Sequence, residues 1–304
     1  MSRVVTLGET MALLDPVRDG ELELGDLLRL RFAGAESNFA VGLARLGVDV
    51  AWVSRVGDDR IGGLIRDALA EEGVDVRWVR RVEDAPTGLF YKWRSEGSTS
   101  VAYHRRGSAA SSMEPADVPD EALAGAALVH LTGITLALGE GPRTLVVDVA
   151  RRAREAGALV TFDPNYRPAL WDAPSDAAAA IEPVLEHVSW FLCGAGEGEA
   201  LLGADVPGAL AARGVGGSVV RTAGSAVVTW GDSSCDVAPA GVEAVVDEIG
   251  AGDAFAAGFV FGLLEGRSPE GCAQAAHAIA AWALRGTGDW ETLPRLDEVR
   301  DLLA

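Results

Sequence analysis

Gly250-Ala251-Gly252-Asp253 sets two glycines, one small residue and a single carboxylate directly ahead of the apolar run Ala254–Leu264. The glycines free the backbone to bend tightly. The run behind them predicts a buried helix, so the turn stands at a helix N-terminus. Unpaired N–H groups and the positive end of the helix dipole make such a terminus an anion site. A carboxylate beside a place suited to phosphate is what phosphoryl transfer needs, a cradle for the oxyanion and a base for the attacking hydroxyl. The same residues would also serve as an aspartate cap on a core helix.

Four further groups carry polar chemistry. Ala33-Gly34-Ala35-Glu36-Ser37-Asn38 leads into a second helix, where Gly34 allows close approach of a ligand and Asn38 offers both donor and acceptor to a polyol. Ser37 or Asn38 would also simply cap that helix. Tyr103 and Arg105 share one strand face by alternation, and a hydroxyl beside a guanidinium reads a carboxylate with neighbouring hydroxyls. An exposed face with routine charges has the same pattern. Asp163, Asn165 and Arg167 follow a strand in a proline-stiffened loop, the position where open α/β sheets bind ligands. Asp289, in Gly286-Thr287-Gly288-Asp289-Trp290, is a further polyol ligand candidate, and Gly286 reads as a helix C-cap.

The elements that must position these groups alternate. Strands are expected at Val4–Leu7, Ala51–Val56, Val129–Thr132, Leu159–Asp163, Trp190–Cys193, Ser218–Thr222 and Ala226–Trp230, the last two close neighbours. Helices are expected at Ser37–Leu46, Ile61–Glu72, Gly141–Glu155, Ala177–His187, Ala254–Leu264 and Pro269–Leu284. That rhythm predicts a parallel sheet covered on both faces. Two patches break it, residues 10–32 and about 87–105, the second folding back at Glu96-Gly97-Ser98. Both read as short half-exposed strands that pair into a small separate sheet, a lid over the ends of the main strands.

With 304 residues, 49% hydrophobic and 23% charged, the chain can bury one large α/β core. A net charge of −19 supplies no basic stripe for nucleic acid. The only lysine is Lys92, an arginine bias typical of a GC-rich genome. Cys193, Cys235 and Cys272 are odd in number and widely spaced, as in a reduced cytosolic protein, and neither they nor the four histidines have metal-site spacing. No signal peptide and no membrane-length apolar stretch is visible, so a cytoplasmic protein without membrane contact is expected.

Together these motifs resemble the ribokinase-like, or PfkB-type, carbohydrate kinases. Residues 33–47 look like the family's N-terminal glycine signature and Asp247 through Asp253 like its C-terminal one. The resemblance implies a single domain over 1–304, a three-layer αβα sandwich with a small β-sheet lid from segments 10–32 and 87–107. It implies transfer of the γ-phosphoryl of ATP to a sugar hydroxyl with magnesium, leaves room for a monovalent cation, and suggests a homodimer through the lid. Asp253 would be the base, with the N–H groups of Ala251, Gly252 and Asp253, after Gly250, as anion hole. Within the family, Tyr103 to Ser111, Asp163 to Arg167 and Gly288-Asp289 with Leu293-Pro294 are similar to 2-keto-3-deoxygluconate kinases. Gly34, Asn38, Tyr91, Tyr103, Arg105, Arg167 and Asp289 would then bind substrate, Arg105 and Arg167 answering its carboxylate. Thr222, Gly224, Gly250, Gly252 and His277 would face the nucleotide, and Glu199 would act indirectly on the metal.

The chain departs from the pattern in three places. Asp247 is followed by Glu248-Ile249 where the family has Asp-Thr, position 196 is glycine in the Asn-x-x-Glu element, and the nucleotide loop reads Arg221-Thr222-Ala223-Gly224-Ser225-Ala226 for Lys-x-Gly-x-x-Gly. Two other readings stay open: a kinase of a neutral ketose or nucleoside, and a sugar-binding regulator without turnover. A dinucleotide oxidoreductase lacks its G-x-G-x-x-G after the first strand.

Overall fold

The computed structural model describes the chain apart from residues 1, 19, 96–97, 223, 240–244, 247–248 and 304. The turn residues Glu96 and Gly97, Ala223 of the nucleotide loop, and Asp247 and Glu248 of the C-terminal signature thus lie outside the described residues. In chain order the strands are β1 (Arg3–Leu7), β2 (Met11–Pro16), β3 (Leu28–Ala33), β4 (Asp49–Gly57), β5 (Val79–Val82), β6 (Leu89–Ser95) and β7 (Ser98–His104). They continue with β8 (Ala126–Thr132), β9 (Leu159–Asp163), β10 (Trp190–Gly194), β11 (Gly217–Arg221), β12 (Ala226–Trp230) and β13 (Ser233–Val237).

Among the described residues, nine of these form one sheet in the order β13-β12-β11-β10-β9-β8-β1-β4-β5. From β5 to β11 every pairing is parallel, so the carboxyl ends of β1, β8, β9, β10 and β11 share one edge. The far end departs from the all-parallel expectation, because β11, β12 and β13 pair antiparallel as a meander. Short connections such as residues 222–225 leave no room for a crossover helix, which a parallel pair would need. Neither β5 nor β13 was visible in the sequence, since Val79–Val82 places two arginines between two valines and Ser233–Val237 is mostly polar.

Helices cover both faces. Ala35–Arg45, Ala251–Leu264 and Pro269–Ala283 enclose one core around Phe39, Trp52, Phe255 and Phe259. Glu140–Glu155 and Pro174–Leu185 enclose the other around Leu145, Phe162 and Ile181. The two C-terminal helices pack backbone to backbone: a Cβ on Gly258 would stand 2.7 Å from Ala276 Cα, and one on Gly262 2.8 Å from Cys272 Cα. That closeness explains the small residues in a helix that is apolar all round. It also anchors the N-terminus of Ala251–Leu264 rigidly at the edge of the sheet.

The two segments that broke the alternation combine into a four-stranded sheet in the order β3-β2-β6-β7. It stands over the carboxyl-end edge of the large sheet. The chain enters it from β1 through Gly8-Glu9-Thr10, leaves after β3 through Gly34, returns at β6 and leaves again after β7 through Arg105. No helix among the described residues is long and apolar enough to cross a membrane.

Candidate active site

The helix that bears Asp253 begins at Ala251, three residues earlier than periodicity suggested, so Gly252 and Asp253 lie within its first turn. Its N-cap, Gly250, has φ 78° and ψ −11°, a left-handed conformation in which a side chain is strained. A Cβ there would also fall 2.0 Å from the carbonyl oxygen of Asp289. Glycine at 250 therefore lets the turn at the start of this helix and the segment carrying Asp289 touch. The first N–H groups of this helix have no intrahelical acceptor and point along its axis out of the N-terminus.

Two amides hold the Asp253 carboxylate. Asn38 Nδ2 donates to Oδ2 at 2.8 Å, and Asn165 Nδ2 donates to Oδ1 at 3.4 Å. Asn38 is itself oriented by the Gly34 N–H, which donates to its Oδ1 at 3.4 Å. Gly34 has no room for a side chain, since a Cβ would lie 2.3 Å from the Glu9 carbonyl oxygen. Asn165 is the one non-glycine residue with positive φ among the described residues, at 40°. Asparagine tolerates that region best among residues with a Cβ, and the bend it makes aims its amide at Asp253. Burial pushes the Asp253 carboxyl up to about 7, against the Asn38 bond and with the help of nearby Asp163. A carboxylate poised there accepts a proton from a hydroxyl far better than an ordinary one.

Asp163 ends β9 beneath this group. Burial raises it as well, the Arg221 charge opposing and Glu197 reinforcing. Arg221, at the end of β11, spans the gap: Nη2 lies 3.3 Å from Asp163 Oδ2, Nη1 donates to Gly252 O at 3.1 Å, and its plane covers Phe255 at 5.4 Å. A permanent cation is thereby fixed against the first turn of the helix that bears Asp253.

Asp253 opens into a cavity of about 190 Å³ between the sheet edge and the small sheet. Gly34, Asn38, Asn165, Arg167, Gly250 and Asp289 line it together with Asp253. The small sheet contributes Phe90, Lys92 and Tyr103. A larger surface groove of about 890 Å³, lined by Arg143, Trp171 and Asp176 among others, gathers neither Asp253 nor any of the groups around it. Size does not mark the site; the convergence of groups does.

Of the residues expected to bind substrate, Gly34, Asn38, Tyr103, Arg167 and Asp289 meet at this cavity. Arg105 does not line it. Standing just past β7, it is buried and gives Nε and Nη2 to Glu9 Oε2, both at 2.7 Å, while Ser108 donates to the other Glu9 oxygen. A buried guanidinium needs such a partner, and Glu9, just past β1, supplies it. Tyr91 points away as well, because alternation along β6 puts it opposite Phe90 and Lys92, against Trp93 and His104.

On the other side of Arg221, Thr222 ties an exposed turn through its Oγ1, which accepts from the N–H groups of Gly224 and Ser225. His277 bonds Val237 O at 3.1 Å and meets Phe255 edge-on; burial lowers its pKa and disfavours the charged ring. Glu199 is exposed on the helix Ala195–Leu202. The carboxylate of that helix that faces the strand ends is Glu197, which accepts from Gly194 N at 2.8 Å and Tyr166 N at 3.0 Å. Counting back from Glu197, the residue in the asparagine position is Gly194, so the expected register was two residues late. Lys92 was missed too. Its only mark in the sequence is that it is the chain's single lysine, which base composition explains equally well.

Comparison with known proteins agrees with this geometry. The model of the pfkB family carbohydrate kinases matches residues 1–296. The chain is 36% identical to a 2-dehydro-3-deoxygluconokinase of Bacillus subtilis (strain 168), over 99% of this chain and 95% of that one. It is 35% identical to a 2-dehydro-3-deoxygluconokinase of Thermoproteus tenax, over 100% and 94%. The crystal structure of a PfkB protein from Polaromonas sp. JS666 superposes with a TM-score of 0.90 at 35% identity, covering 99% of both chains. The whole length, the fold and the Gly250–Asp253 turn thus point the same way, and the chain belongs to the pfkB family of carbohydrate kinases.

Proposed function

We propose that this kinase transfers the γ-phosphoryl group of ATP to a hydroxyl of a sugar acid, 2-keto-3-deoxygluconate or a close relative. One observation carries the reading: Asp253 opens, between two amides and beside a helix N-terminus, into a small cavity that also holds Lys92 and Arg167. An acceptor hydroxyl at Asp253 gives up its proton to a carboxylate oxygen as its own oxygen bonds the γ-phosphorus. The bond to the β–γ bridging oxygen breaks, and ADP leaves with that electron pair. Charge on the transferring group meets the N–H groups of Ala251, Gly252 and Asp253. Arg221 lies close enough to reinforce them. Thr222, Gly224 and His277 fit the nucleotide side, flanking Arg221 and Phe255.

The cavity's cations, Lys92 beside Asp289 and Arg167 near Glu197, favour an acid over a neutral ketose, because they add an attraction for a carboxylate that a neutral sugar cannot use. The names of the two Bacillus and Thermoproteus relatives support the same acceptor. Magnesium fits as a partner of the phosphates rather than as a resident of a protein cage. Among the described residues no three His, Cys, Asp or Glu side chains gather as ligands, and Mg²⁺ typically keeps waters and substrate phosphates in its shell. Asp163 and Glu197 are the carboxylates that would hold it, and when bound it would neutralise phosphate charge. Glu199 is too far out on its helix to share in this. A homodimer through the small sheet belongs to the same reading, supported by exposed Leu28 and Leu30 on β3.

The test is a coupled assay of ADP release across sugar acids and neutral ketoses. Turnover is expected to favour the 2-keto-3-deoxy acids; faster turnover of fructose or ribose would overturn the assignment.

A further inference from the structure

We propose that Lys92 is the residue that selects an anionic sugar, its ammonium pairing with the substrate carboxylate while Asp289 holds it on the cavity wall. The inference rests on the sugar-acid reading and names the group that enforces it. Among the described residues lining the cavity, the positive charges are Lys92 and Arg167. Arg105, expected to answer the carboxylate, has its Nε and Nη2 edge committed to Glu9 and lies outside the lining. The two remaining cations differ in depth. Arg167 leans toward solvent, with 46% of its side chain exposed and its Nη1 directed to Tyr166 O at 3.3 Å. The Lys92 side chain is 5% exposed, and Nζ stands 3.2 Å from Asp289 Oδ1.

A lysine in that place is unusual. Lysine is rarely buried unless paired, and β6 is an interior strand of the small sheet, between β2 and β7. Alternation puts Lys92 on the same face as Phe90, toward the cavity. Asp289 beside it is a negative group on the wall that an anionic substrate has to approach. Two carboxylates repel strongly at low dielectric unless a cation lies between them. An ammonium can serve several acceptors at once, so Lys92 can keep Asp289 as a hydroxyl acceptor and draw the substrate acid in. A merely structural role is the alternative, because Arg31 ties the same small sheet to the same C-terminal segment through Thr287 O and Glu291. A structural tie would matter equally for every sugar.

The deciding measurement is therefore a ratio. Calorimetric Kd and kcat/KM are compared for 2-keto-3-deoxygluconate and for its neutral analogue with a hydroxymethyl group in place of the carboxylate. The full-length wild type, K92M and K92R are used, each checked by thermal melting, with K92Q replacing K92M if the latter does not fold. K92M is expected to weaken the acid by about tenfold or more and the neutral analogue by less than about threefold. K92R, which keeps the charge, should retain most of the preference. Equal losses for both sugars, or no loss for either, overturn the role of Lys92. A wild type that takes the neutral analogue at least as well as the acid fails the sugar-acid reading itself, whatever the variants do.

Discussion

Two helices of this protein begin almost alike. Each follows a glycine, Gly34 or Gly250, and each carries a carboxyl group in its first turn, Glu36 or Asp253. In both, burial raises the pKa. Their surroundings then diverge. Glu36 is 0% exposed and points back under the sheet edge, where Oε1 accepts from the hydroxyls of Thr132 and Thr135. Gly8 makes room for it, since a Cβ there would lie 2.1 Å from the Glu36 carboxyl carbon. Asp253 instead faces a cavity, gripped by donors that stabilise its charged form. Helix dipole and burial are common to both sites. What differs is an open side and amide donors, and these are what would separate the proposed base from a structural acid.

The sharpest break of that comparison is Asp253→Asn. The amide keeps the shape and removes the proton acceptor, so turnover should fall by about 10³-fold or more while the sugar still binds. Single-turnover assay with calorimetry on the same sample checks it. A variant within tenfold of wild type would show that Asp253 is no more a base than Glu36 is. Gly250→Ala comes next. It forces φ 78° on a residue with a Cβ and drives that Cβ into Asp289 O. The turn or the Asp289 segment must move, and a displacement of about 1 Å in an active site can cost 10²-fold in rate. Loss of kcat beyond any loss of melting temperature is the expected signature.

How much of this was legible beforehand depends on how local the cause is. Gly250-Ala251-Gly252-Asp253 announced its anion site because the glycines, the carboxylate and the helix are contiguous. Strands β8, β9 and β12 were readable from apolar runs that fill a two-sided sheet. The role of Asn165 was half visible: its type and its place after β9 marked it, but its grip on Asp253, 88 residues away in sequence, needs the folded turn. Arg105 misled because its partner Glu9 lies 96 residues earlier and no spacing rule connects them. Glu199 misled because the Asn-x-x-Glu element has no asparagine here to fix its register, and Glu197 two residues before it is the group turned inward. Lys92 and Asp289, 197 residues apart, meet only because the small sheet folds over the C-terminal segment.

Glu36 supplies the converse prediction. Burial raises its pKa and disfavours its charge, so Glu36→Gln, an uncharged side chain with an acceptor oxygen for Thr132 and Thr135, should change little. Glu36→Ala leaves two buried hydroxyls without their acceptor and a void beside Gly8. A loss of about 2–3 kcal/mol follows, or roughly 4–12 °C in Tm for a chain of this size. The kcat of the folded fraction should stay within about threefold. Were kcat to collapse in Glu36→Gln at unchanged Tm, Glu36 would belong with Asp253 and the contrast between the two helix starts would fail.

The smallest effect probes what tunes Asp253 rather than what it is. The acidic limb of kcat/KM should fall near pH 7, because a base must be ionised to act and burial holds Asp253 up to about 7. The Asn38 amide donates to Oδ2 and favours the charged carboxylate, so it acts against burial. Removing it with Asn38→Leu takes away a stabiliser of the ionised form. The pKa must then rise further, and the acidic limb should move to higher pH, with activity recovered in part as pH increases. An unmoved limb with a uniform loss at every pH would mean Asn38 only orients Asp253. A limb moved to lower pH would contradict the electrostatics, since no group that Asn38 displaces could favour the charge more than its own N–H does. Glu36 offers no such handle: among the described residues its buried Oε2 has no hydrogen-bond partner, burial disfavours its ionised form, and the pH profile of the enzyme should not register it.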